Sequence, residues 1–203
     1  MNLANALASV GKAPEALDHI QRALDFNYDV RADLETAVAI ALAKIGRIQE
    51  AIDHYQRSLE INPELFEACN NLAWLLATTE SEQFRNPTRA VELAKKAAEL
   101  KPASADATNT LGIAYYRSGD FEAAIHWLDQ AIKLRGAATA YDWLFLAMAH
   151  ERLGQRNEAR LAYENALQWM SKNASTDNQL VEFRSEAEQI LNTAEQVRNA
   201  VEK

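Results

Sequence analysis

The stretch GRIQEAIDHYQRSL, residues 46–59, recurs along the chain and decides its fold. The related segments are GKAPEALDHIQRAL from residue 11, NPTRAVELAKKAAEL from residue 86, GDFEAAIHWLDQAI from residue 119 and GQRNEARLAYENAL from residue 154. They align through five alanines, at intervals of 35, 39, 34 and 35 residues: Ala16, Ala51, Ala90, Ala124 and Ala159. A period of this length is typical of stacked helical hairpins, because one hairpin cannot bury its apolar face alone.

A second pattern precedes each of these segments and predicts the first helix of each hairpin. It is clearest in TNTLGIAYYRSGD, residues 108–120, where Gly112 lies between bulky residues such as Leu111 and Tyr115. Antiparallel helices approach closely only where one of them presents a small side chain. We therefore expect small residues to form the contacts within each hairpin and larger ones to fill the space around them. The small residues are Ala73 and Gly112 on first helices and Ala124 and Ala131 on second helices, with Leu128 among the large ones.

Glycine, aspartate and proline mark the predicted helix ends. Gly46, Gly119 and Gly154 follow first helices, where a left-handed backbone favours glycine. Asp120 can then cap the next helix, and Asn86 followed by a proline has the form of a helix start. The segment 77–86 is about five residues longer than its counterparts, which predicts a longer turn or an added helical turn. A surface loop is favoured there over a functional insertion.

The repeat pattern resembles the tetratricopeptide repeat family over roughly residues 1–172. The resemblance implies an all-α fold, a right-handed superhelix of about five hairpins, closed by a capping helix at 177–201. The expected repeats are an incomplete one at 1–28 and then 29–63, 64–102, 103–136 and 137–172, in a single solenoid. Two segments, from Asn70 and from Tyr141, are similar to repeats of large bacterial proteins that also carry serine/threonine kinase domains. The apolar residues of the capping helix recur every three or four positions: Leu180, Phe183, Ala187, Ile190, Leu191, Ala194 and Val197.

Composition argues against several classes of function. The net charge of −8 and a pI near 5.1 disfavour nucleic acid as a partner, because phosphates require a basic surface. No apolar run is long enough to span a membrane, and no secretory signal is recognisable, which favours the cytoplasm. One cysteine cannot form an internal disulfide.

Candidate catalytic and metal-binding residues have simpler explanations. His19, His54 and His126 recur at equivalent or nearly equivalent positions and form no metal-binding motif, so structural or solvated roles are favoured. Cys69 is expected to be a small buried residue, since no cation near it in sequence would stabilise a thiolate. We therefore predict no catalytic residue, metal or cofactor, and an enzyme is the least favoured hypothesis.

In the resembled family, first helices line a concave groove that holds protein partners. The match to the clamp of lysine, arginine and asparagine that grips C-terminal carboxylates in some members is poor. A peptide with apolar and acidic residues that face Arg117 and Arg152 is preferred instead. The alternative is a structural spacer or a self-association element, with oligomerisation through the incomplete first repeat. The family's groove positions correspond here to Ile40, Lys44, Asn70, Asn71, Trp74, Asn109, Ile113, Tyr116, Arg117, Tyr141, Leu144, Met148 and Arg152.

Overall fold

The computed structural model describes residues 31–173 and 177–201, and the side chains of those up to residue 194. These residues form two compact units, one that ends at Lys101 and one that begins at Pro102. The first repeat expected at 1–28, and with it the proposed oligomerisation surface, lies outside the described residues. The expectation of one continuous solenoid over 1–203 stays a prediction.

The described part of the first unit consists of two helical hairpins. Helix α1 (Arg31–Lys44) pairs with α2 (Ile48–Ile61), and α3 (Phe66–Thr78) pairs with α4 (Pro87–Leu100). The hairpins meet because α3 packs against both α2 and α1. First helices α1 and α3 are thus neighbours.

The second unit repeats this arrangement and adds one helix. Helix α5 (Ala105–Ser118) pairs with α6 (Phe121–Arg135), and α7 (Ala140–Arg152) pairs with α8 (Arg156–Lys172). The last helix, α9 (Asn178–Val201), packs mainly against α7. The prediction of an all-α tetratricopeptide fold is confirmed, and no strand occurs among the described residues.

Helix ends follow the chemistry expected from the sequence. Gly46, Gly119 and Gly154 have φ of 77°, 87° and 73°, so each adopts the left-handed backbone that a helix exit favours. Asp120 accepts a hydrogen bond from the amide of Ala123 at 3.0 Å, as an N-cap should. Asn86 likewise accepts from the amide of Arg89 at 3.0 Å, and the proline that follows it takes the first helical position.

Small residues bring the helices of each hairpin together. The predicted spacers Ala73, Ala124 and Ala131 are fully buried. A Cβ added to Gly112 would lie 2.8 Å from Cγ of Leu128 and 3.0 Å from its backbone nitrogen. Glycine at position 112 therefore lets α5 approach the backbone of α6, and an alanine would require α6 to shift.

The long segment between α3 and α4 forms an extended turn with one turn of 3₁₀ helix at Glu82–Phe84. The Arg85 guanidinium donates from Nε to the carbonyl oxygen of Thr79 at 2.7 Å. The Asn86 amide donates to the carbonyl of Leu76 at 3.1 Å, which closes the base of the turn. The extra residues thus lengthen the connection and add one turn of 3₁₀ helix to it, so both features that the sequence predicted as alternatives occur together.

Candidate functional site

The predicted binding residues of the first unit lie on its first helices. On α1, Ile40 is half-buried and Lys44 is exposed. On α3, Asn70, Asn71 and Trp74 are all half-buried. This surface, which we call the α1–α3 face, carries aliphatic, aromatic and cationic groups that are at least partly exposed, and its role in binding stays a prediction.

The two asparagines of the α1–α3 face have different surroundings. Asn71 makes a side-chain hydrogen bond to Tyr55, whose pKa is raised above its ordinary value because the ring is buried. The side-chain oxygen of Asn70 is buried and has no hydrogen-bond partner among the described residues. Asn71 therefore already contributes to holding α3 on α2, a role that the groove prediction did not include.

The predicted binding residues of the second unit are mostly buried. Ile113, Leu144 and Met148 are fully buried, and Tyr116 is only 6% exposed. The Tyr116 ring packs against Phe145 with centroids 5.4 Å apart, and burial raises the pKa of its hydroxyl. Of the residues predicted here, Arg152 is exposed, while Tyr141 is half-buried. Most of these side chains therefore form the core in this unit.

Asn109, another predicted binding residue, belongs to a buried polar network around Asp142. Its Nδ2 donates to Oδ1 of Asp142 at 2.7 Å. The other carboxylate oxygen accepts from Arg135 Nη1 at 2.7 Å and from the amide and hydroxyl of Thr139 at 2.7 and 2.8 Å. Asp142 is fully buried, and its charge is balanced by Arg135 and these donors. The network joins α5, α6 and α7.

Helix α9 covers part of the surface that the first helices of the second unit form. At its start, Asp177 accepts a hydrogen bond from the hydroxyl of Tyr141 at 2.6 Å, and burial raises the pKa of that tyrosine. Phe183 packs edge-on against Phe145, with centroids 5.0 Å apart, and against Tyr141 at 6.0 Å. An aromatic cluster therefore fixes the first half of α9 on α7.

An ion pair joins α9 to α5 beyond this cluster. The two terminal guanidinium nitrogens of Arg117 donate to the carboxylate of Glu186, and Nη2 lies 2.7 Å from Oε2. The same guanidinium lies 5.2 Å from the Phe145 ring and 5.9 Å from the Phe183 ring. The Arg117 side chain is only 10% exposed, which reduces screening by water. We call this surface, formed by Tyr116, Arg117, Tyr141 and Phe145, the α5–α7 face.

Comparison with protein families identifies the repeats. A model described as tetratricopeptide repeat matches residues 1–65 and 82–142, and a second model of the same description matches residues 143–173. The chain belongs to the tetratricopeptide repeat family. Its role is accordingly that of a protein-interaction scaffold in the general sense of this family. No curated protein matches the chain.

Solved tetratricopeptide structures share the fold. MamA residues 41 to the end from Desulfovibrio magneticus RS-1 has a TM-score of 0.70 at 20% identity, covering 86% of this chain and 94% of that one. MamA MSR-1 gives 0.65 at 22% identity, covering 84% and 94%. TTC0263, a thermophilic TPR protein in Thermus thermophilus, gives 0.65 at 21% identity, covering 93% and 95%. At these identities the likeness concerns the fold alone.

Two side chains that could have suggested chemistry, His54 and Cys69, have structural roles in these tetratricopeptide hairpins. His54 is buried and bonds through Nδ1 to Glu35 at 2.6 Å, which joins α2 to α1. Cys69 is fully buried, and burial raises the pKa of its thiol. Within the described parts of the chain, no helix could cross a bilayer, and His, Cys, Asp and Glu side chains form no group of three or more that could hold a metal ion.

Sequence reasoning missed three residues of the contact between the C-terminal segment and the α5–α7 face: Phe145, Asp177 and Glu186. The apolar periodicity of α9 did identify Phe183, which is buried. A signal for Glu186 existed, because it is one turn beyond Phe183 on the same helical face. Its partner Arg117 is 69 residues away in sequence, and no local pattern specifies that pairing.

Proposed function

We propose that the chain is a non-catalytic interaction module that binds a protein segment on the faces formed by its first helices. The observation that carries the proposal is the position of α9 on the α5–α7 face. There, first helices hold a polypeptide segment through aromatic contacts and an ion pair. The same type of face in the first unit is lined by Ile40, Lys44 and Trp74, each at least partly exposed. Aromatic side chains such as that of Trp74 are enriched where proteins bind each other.

The preferred ligand of the α1–α3 face is an extended segment with apolar and acidic residues. Ile40 and Trp74 supply apolar contact area, and the Lys44 ammonium can pair with a carboxylate. Because Lys44 is exposed, this pair would govern orientation and association rate more than affinity. Ile40 and Trp74 should account for most of the binding energy, because they supply the apolar area that a ligand would cover and tryptophan is enriched among the residues that dominate binding.

A photo-cross-linking experiment tests this proposal. A photoreactive phenylalanine analogue is placed at Lys44 or at Trp74 in the full chain, with Gln56 on the outer surface of α2 as the matched control position. We expect illumination in extract of the native cells to join one and the same protein to positions 44 and 74 and not to position 56. Ile40→Asp should weaken that capture at least about tenfold while helicity is retained.

Other outcomes would decide against the α1–α3 face. Capture only from position 56, or no protein captured from any position, contradicts the proposal. Joining of two copies of this chain would instead support the alternative hypothesis of self-association. The spacer hypothesis predicts no captured protein at all.

A further inference from the structure

We propose that α9 is an internal occupant of a helix-binding groove, the α5–α7 face, and that a partner helix of similar pattern takes its place. The inference rests on the proposed function, because it names the ligand class of one first-helix face. The occupant we infer is an amphipathic helix with an aromatic residue, a carboxylate three positions later and alanine one position after that. In α9 these are Phe183, Glu186 and Ala187.

The α5–α7 face recognises two features at a fixed distance. The rings of Phe145 and Tyr141 receive Phe183, with centroid distances of 5.0 and 6.0 Å. One helical turn later, the Arg117 guanidinium receives the Glu186 carboxylate through both of its terminal nitrogens. A two-point contact of this kind selects a helix, since residues three apart share one helical face.

The alanine of this pattern, Ala187, is explained by the close approach of α9 to the α5–α7 face. Ala187 is fully buried, whereas Ser185 and Val181 on the outer side of α9 are exposed. A larger side chain at position 187 would push the helix away from the surface that Phe183 and Glu186 contact. Small size is thus the third requirement of the groove.

Among the side chains that the structure describes, those of α9 are buried only in its first half, which makes exchange feasible. Up to residue 194, the buried side chains of this helix are Leu180, Phe183 and Ala187, and none is buried between 188 and 194. Over that second half, a cavity of about 610 Å³ separates α9 from the end of α7 and the start of α8. It is lined by Glu151, Arg152, Gly154 and Arg156 on one side and by Gln189, Ile190, Thr193 and Ala194 on the other. Among the described residues, the contacts of this segment run from Asp177, which bonds to Tyr141, to Glu188, which bonds to Tyr163 on α8, so a partner needs to replace about three turns of contact.

Competition with the internal helix gives the test. The probe is a fluorescent peptide that copies residues 177–194 of this chain, added to the full-length protein. The variant Phe183→Ala/Glu186→Ala weakens the internal contact, and the matched control Val181→Ala/Ser185→Ala changes only the exposed side of α9. The peptide can bind only those molecules whose groove is not occupied by α9, so its apparent affinity is proportional to the fraction of molecules with a free groove. We therefore expect the weakened variant to bind the peptide at least about tenfold tighter than the wild type or the control does.

Charge reversal then tests the ion pair. Arg117→Glu in the weakened variant should reduce peptide affinity about tenfold or more, and a peptide with lysine in place of Glu186 should restore it. Equal binding by wild type, control and weakened variant overturns the inference, as does indifference to Arg117→Glu. If the weakened variant lost its helical signal, Glu186→Lys alone, paired with the wild-type peptide, would repeat the measurement with Phe183 kept.

Failure here is distinguishable from failure of the proposed function. A protein captured at positions 44 and 74 while no variant binds the peptide would reject only the exchange of α9. Peptide binding at the α5–α7 face without capture at the α1–α3 face would reject the ligand proposed for the first unit and keep this inference.

Discussion

Asp142 shows how one buried charge can join three helices. Its carboxylate is fully buried, yet it accepts hydrogen bonds from Asn109, Arg135 and Thr139. It also completes a capping box with Thr139 at the start of α7. Removing an acceptor of this kind leaves donors in a low-dielectric site without a partner, which costs more than the bond itself contributed.

We therefore expect Asp142→Ala to lower the free energy of unfolding by about 3 kcal/mol. The matched control is Asp106→Ala, because Asp106 contacts the same Arg135 guanidinium at 3.3 Å but its side chain is 86% exposed. Loss of that surface pair should cost under about 1 kcal/mol. Urea denaturation followed by circular dichroism measures both, and similar losses in the two variants would show that burial of Asp142 is not decisive.

Among the helices, α9 is held by tyrosines that donate to carboxylates. Besides Tyr141, the hydroxyl of Tyr163 on α8 donates to Glu188 on α9 at 2.5 Å. The pKa of Tyr163 is raised to about 12, first by burial and then by this hydrogen bond. The neutral phenol is therefore the form that the folded protein favours.

The sign of the resulting pH dependence follows from this raised pKa. An unfolded tyrosine titrates near pH 10, so the contribution of Tyr163 is complete below that pH and is lost between about 10 and about 12. Glu188→Gln should lower the pKa of Tyr163, while Glu164→Gln, a neighbour on α8, should leave it unchanged. Alkaline titration of tyrosinate absorbance, with Tyr163→Phe to assign the signal, checks this prediction. An unchanged titration in Glu188→Gln would contradict it.

Across the molecule, each unit has a core built from its own hairpins. Leu42 is buried in the first unit and Leu128 in the second. In repeat proteins, stability is approximately a sum of terms for each repeat and for its neighbours, so damage to one hairpin spreads only to adjacent ones. Local substitutions should thus have local effects.

Two equivalent substitutions, Leu42→Ala in the first unit and Leu128→Ala in the second, test whether the effect of a substitution stays local. Each should cost about 2–5 kcal/mol, the usual range for a buried leucine. Hydrogen exchange should show the larger loss of protection at α1 and α2 for Leu42→Ala, and at α5 and α6 for Leu128→Ala. An equal loss along the entire chain in both variants would indicate a single cooperative unit instead.

Local sequence predicted the parts of the fold that neighbouring residues determine. Gly119 and Asp120 end one helix and start the next through bonds within a few residues, and Gly112 sets the approach of α5 to α6 by size alone. In the first unit, the candidate residues Ile40 and Lys44 lie on α1, where Ile40 is half-buried and Lys44 is exposed, and their role in binding stays a prediction.

The paired helices, their small-residue contacts and their caps could all be predicted from the sequence, because spacing along the chain encodes these features directly. The position of α9 on the α5–α7 face, and the burial of Leu144 and Met148 on α7, emerged only from the folded chain. The physical reason is the range of the contacts. Arg117 and Glu186 meet across 69 residues through complementary charge, and Phe183 reaches Phe145 through ring geometry, neither of which has a period that a sequence can display.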